Sequence, residues 1–65
     1  MTIVEVLAIV KDHTGEDVTP ETEISSLGMD SLDFLDLLIR VGNIPDAVVP
    51  HLNTVNDLYL AATGQ

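Results

Sequence analysis

Three helix-start signatures divide this chain and leave little room for anything but helix between them. Thr2-x-x-Glu5 is a capping box, Asp30 precedes Ser31 with Asp33 at the third helical position, and Thr54-x-x-Asp57 caps a last segment. An oxygen at the N-cap satisfies amide donors that the first turn leaves unpaired, and an acid in that turn suits the positive end of the helix dipole. The expected fold is all-α: a small bundle of three main helices plus a short minor one.

The first segment, IVEVLAIV over residues 3–10, is rich in β-branched residues, which favours strand. The capping box before it and Gly15 after it favour helix, and Ile3, Val6, Leu7 and Val10 share one helical face. A helix over 3–13 is expected. Residues 15–30 form a long connection, with a local turn at Thr19-Pro20, where a short helical turn could begin, and Val18, Ile24 and Leu27 as anchors to the core. The second helix starts at Ser31 and ends at Gly42-Asn43. On it Asp33, Asp36 and Arg40 fall within about 60° of one another as a polar stripe, and the remaining arc of about 220° is apolar, wider than one core face needs. Pro45-Asp46 opens a short turn of helix limited by Pro50. In the last helix Val55, Leu58, Tyr59 and Ala62 share a face, and Gly64 closes it.

Charge decides the kind of partner. Eleven acids against two bases give −9 over 65 residues. Such a chain repels phosphate backbones and anionic membranes, so neither nucleic acid nor membrane is expected as a partner, and basic protein patches are. The 46% apolar content in periodic blocks argues against disorder. No run of about 18 apolar residues offers a membrane span, and the first residues lack the basic region of a signal peptide. The expectation is one domain over residues 1–65, cytoplasmic and monomeric. Cysteine is absent, which excludes disulfides and thiolate metal sites.

The stretch Gly28-Met29-Asp30-Ser31-Leu32-Asp33-Phe34-Leu35-Asp36 raises the question of what its serine does. A hydrolytic nucleophile needs a base and an oxyanion hole, yet His13 and His51 stand isolated in sequence and no nucleophile elbow is present. Asp30, Asp33 and Asp36 offer hard oxygen ligands, but without the glycine turn and final glutamate of a calcium loop, so no metal site is expected. A plain helix-start role for Ser31, a solvated face for the acids and core packing for Leu32, Leu35 and Ile39 are the simplest explanations. A modification site is the third. A phosphate on a first-turn serine meets free amides and the positive dipole end, and an enzyme that attaches it supplies the base.

Leu27-Gly28-Met29-Asp30-Ser31-Leu32-Asp33, followed by Asp36-Leu37, resembles the phosphopantetheine attachment motif of the acyl carrier protein family. Motif, acidity, length and helix layout agree along nearly the whole chain. The resemblance implies a carrier and not an enzyme. Ser31 would hold 4′-phosphopantetheine, transferred from coenzyme A by a phosphopantetheinyl transferase, and the arm's thiol would hold acyl groups as thioesters. Asp30, Asp33 and Asp36 match positions that face basic patches on acyl-loading, condensing or acyl-transferring enzymes, and Leu32, Leu35 and Ile39 lie on the apolar edge beside them.

Aspartate before the serine resembles the fatty-acid and polyketide type, whereas Met29 departs from the peptidyl type and Leu32 from the D-alanyl type. The stretch from Ser31 to Pro45 is about one and a half turns shorter than in typical members. It lacks the acidic far end of the second helix, and Arg40 there reduces the negative field. These departures point to a specialised stand-alone member. A peptidyl or aminoacyl carrier, and an unloaded acidic interaction module with the same fold, are the alternatives.

Overall fold

Three α-helices, α1 (Ile3–Thr14), α2 (Ser31–Val41) and α3 (Val55–Ala62), carry the architecture. Two 3-10 helices interrupt the connections, at Ile24–Leu27 and Asp46–His51. The computed structural model describes residues 2–42 and 44–64, and no strand occurs among them. Asn43, expected to share the end of the second helix, lies outside the described residues; Gly42 closes α2 with its amide on the Leu38 carbonyl at 3.0 Å.

Capping resolves the strand-or-helix ambiguity of the first segment. The Thr2 hydroxyl accepts from the Glu5 amide at 3.2 Å, and Glu5 accepts from the Thr2 amide at 2.7 Å. At the other end Gly15 sits in the left-handed region, φ 77°, and its amide returns to the Lys11 carbonyl at 2.7 Å. With both ends satisfied, burial of Val6 and Val10 outweighs the β preference of their branched side chains. Thr54 and Asp57 form a second reciprocal box at the head of α3.

The core is one cluster to which each α-helix contributes. Val6 and Val10 come from α1, Leu37, Leu38 and Val41 from α2, Val55 and Leu58 from α3, and Leu27 from the first 3-10 turn. These positions repeat at three and four residues, which places them on single faces. α1 packs against both α2 and α3. Val18 and Ile24 anchor the long connection as expected, half-buried against the same cluster.

Two local expectations need correction. Thr19-Pro20 does form a turn, closed by the Thr22 amide on the Thr19 carbonyl at 3.0 Å, but the helical turn begins later, at Ile24. There the connection is stapled to the head of α3. Ile24 N–H donates to Asn53 at 2.8 Å, Val55 N–H to Thr22 at 3.0 Å and Asn56 N–H to Pro20 at 2.9 Å. Those bonds pair one amide of the connection and two first-turn amides of α3 that would otherwise be left to water. Pro50 lies inside the second 3-10 helix instead of ending it.

Candidate functional site

The site begins with a backbone reversal. Leu27, 7% exposed, pins the first 3-10 turn to the core, and Gly28 ends it at φ 70°. That left-handed conformation suits glycine, which has no Cβ to clash. The chain then extends through Asp30, whose carboxylate accepts from the Asp33 amide at 2.8 Å while its carbonyl accepts from Phe34 at 3.0 Å. Ser31 is therefore the first residue of α2, and it is exposed. No described group hydrogen-bonds its hydroxyl.

α2 sorts its residues more sharply than the sequence does. Leu37, Leu38 and Val41 are buried, whereas Leu32, Leu35 and Ile39 are 77%, 53% and 71% exposed. Those three are not core, and they leave apolar surface interleaved with the exposed carboxylates of Asp30, Asp33 and Asp36. Two open grooves run beside Leu35, Leu38 and Asp46. One is lined by Ser31, Phe34, Val49 and Pro50, the other by Ile39, Gly42, Ile44 and Pro45. Leu32 borders neither.

Phe34 and Leu38 stand three and seven residues beyond Ser31, so helical periodicity already places them on its side of α2. Val49 and Pro50 arrive from the far 3-10 helix and carry no local signal in the sequence. The structure also corrects the isolation of His13: its ring meets Asp33, Asp36 and Arg40 of α2. Arg40 lies back against α1, with Nη2 on the Asp12 carboxylate at 2.7 Å. Among the described residues no group of three or more histidines and carboxylates converges as a metal site.

The residues fit a covalent phosphate-linked arm. Ser31 offers an exposed hydroxyl at a helix start, where N–H groups favour an anion. An apolar groove adjoins it for whatever the arm carries. Both nitrogens of His13 are engaged elsewhere, on the Asp33 carbonyl and Arg40.

Comparison with known families agrees: the family model for the phosphopantetheine attachment site matches residues 2–59, and the chain belongs to that family. It is a phosphopantetheine-carrying carrier protein. The family attaches 4′-phosphopantetheine covalently to a serine, its carrier domains are not themselves catalytic, and they work with a phosphopantetheinyl transferase and partner enzymes. No curated protein and no solved structure matches the chain. None of the described helices is long and apolar enough to cross a membrane.

Proposed function

We propose that residues 1–65 form one acyl carrier domain in which Ser31 bears the arm and α2 is read by partner enzymes. The observation that carries this is the state of Ser31 among the serines. Ser26 donates its hydroxyl to the Glu23 carbonyl at 2.7 Å, and Ser25 lies within the same 3-10 turn. Ser31 alone opens an α-helix, exposed and beside an apolar groove.

In the loading step the Ser31 oxygen forms a bond to the pantetheine-side phosphorus of coenzyme A. The bond from that phosphorus to the adenosine bisphosphate breaks, and the hydroxyl proton passes to a base on the transferase. The bound arm supplies a thiol that holds acyl intermediates as thioesters. Asp30, Asp33 and Asp36 give α2 the charge that basic partner patches seek, and Leu32, Leu35 and Ile39 give it apolar contact area. Asp30 and Met29 favour acyl cargo of the fatty-acid or polyketide type over peptidyl cargo, in a cytoplasmic pathway.

The test is an intact mass after incubation with coenzyme A, magnesium and a broad-specificity phosphopantetheinyl transferase. Wild type gains one phosphopantetheine, Ser25→Ala gains the same, and Ser31→Ala gains nothing. A gain that survives Ser31→Ala refutes the assignment. A folded wild type that stays unloaded beside an active control favours an unloaded interaction module.

A further inference from the structure

His13 belongs to the last turn of α1, yet its side chain is only 9% exposed. It is wedged against α2. Nε2 lies 2.9 Å from the main-chain carbonyl oxygen of Asp33. A carbonyl only accepts, so Nε2 carries the proton and donates. In the neutral ring Nδ1 is then an acceptor, and Nη1 of Arg40 stands 3.2 Å from it. Nη2 of the same guanidinium donates to Asp12 at 2.7 Å. The Asp36 carboxylate lies 3.7 Å from Nδ1.

This cluster ties α1 to α2 in a way the core does not. Apart from it, the two helices share one apolar cluster, to which α1 gives Val6 and Val10 and α2 gives Leu37, Leu38 and Val41. Apolar burial selects which face of α2 turns inward, but, being non-directional, it leaves the fine axial position and tilt of the helix unfixed. A hydrogen bond to a main-chain carbonyl does set them, because its strength depends on distance and angle. The carbonyl in question lies two residues beyond Ser31. The other nitrogen seats Arg40, which stays with Asp12 and leaves the Asp36 carboxylate exposed.

We propose that His13 is a positioning residue for the loading of Ser31: as the neutral Nε2–H tautomer it fixes the first turn of α2 and, through Arg40, keeps Asp36 available to the transferase. The proposal rests on the reading of Ser31 as the attachment serine. It assigns His13 no contact with coenzyme A and no proton transfer.

Two measurements test it. The first is 15N NMR of the wild-type ring at neutral pH, where a protonated Nε2 and a bare Nδ1 are expected; the opposite tautomer overturns the proposal without any variant. The second is steady-state loading with the same transferase. His13→Leu fills the space but makes no hydrogen bond, and its KM for the carrier rises about fivefold with kcat unchanged, the equivalent of one net hydrogen bond. His13→Gln, which can donate to Asp33 and accept from Arg40, restores KM and the amide shifts of residues 31–34. A merely structural histidine would lower the melting temperature and leave KM alone, which overturns the proposal. A wild type that cannot be loaded overturns the reading of Ser31 and this role with it; a loaded wild type with an unmoved His13→Leu KM overturns only the role of His13.

Discussion

Leucine-to-alanine replacement at three positions of α2 separates its two faces by energy. Leu37 is fully buried, Leu35 is 53% exposed and Leu32 is 77% exposed. The chemical change and the helix-propensity change are the same at all three, so differences report burial alone. At Leu37 the loss combines transfer free energy with a cavity that neighbours fill only partly, about 3–5 kcal/mol. At the exposed sites only the covered fraction counts. At about 0.8 kcal/mol per buried carbon, Leu35→Ala costs roughly 1 kcal/mol and Leu32→Ala roughly half that.

A 65-residue domain has a total stability of roughly 3–10 kcal/mol, so Leu37→Ala consumes a large share of it. Urea unfolding followed by helical circular dichroism gives the midpoints, and an unchanged slope assigns the shift to stability. Leu35→Ala or Leu32→Ala destabilising as much as Leu37→Ala would refute the division of α2 into a packed face and a free one.

Three further outcomes are expected. With a net charge of −9 and an isoelectric point near 4.1, the fold repels itself at neutral pH, so the melting temperature rises between low and moderate salt; a flat response counts against this. The Thr54 and Asn53 amides hold the Asp57 carboxyl below its ordinary range, so its stabilising contribution is present above the unfolded aspartate value and is lost as pH falls through the lower folded value. Stability should therefore climb as pH drops from neutral and then fall in acid, and Asp57→Asn should flatten that acid limb; an identical limb in the variant sinks the linkage. Thr54→Ala, which breaks the cap of α3, costs about 1 kcal/mol by urea midpoint, and Gly28→Ala costs about 1–2 kcal/mol because a Cβ is strained at φ 70° even with open space around it.

What the sequence reveals here is what local chemistry determines. Caps are local, and the starts of α1, α2 and α3 fall where Thr2, Asp30 and Thr54 put them. The excess apolar arc of α2 is also legible, and it corresponds to three exposed side chains rather than a larger core. Ser31 can be found because its surroundings form a contiguous motif. His13 cannot, because its partners lie 20 to 27 positions away and no periodicity links them. The same holds for Val49 and Pro50 beside the Ser31 groove, and for the 3-10 turn at Ile24, whose first amide is paired by Asn53 across the chain. Side chains brought together by packing leave no trace in spacing.

The staple between the long connection and the head of α3 has a consequence for how the molecule opens. Residues 20–24 and 53–56 share main-chain hydrogen bonds, although all of α2 lies between them in sequence. A segment that looks like a loop is thus committed to the same opening event as the last helix. In native-state hydrogen exchange the amides of Ile24, Val55 and Asn56 should exchange with one common free energy, as a cooperative unit. The helix that carries Ser31 lies outside that unit. Its first turn is held from α1 instead, by the His13 ring on the Asp33 carbonyl at 2.9 Å.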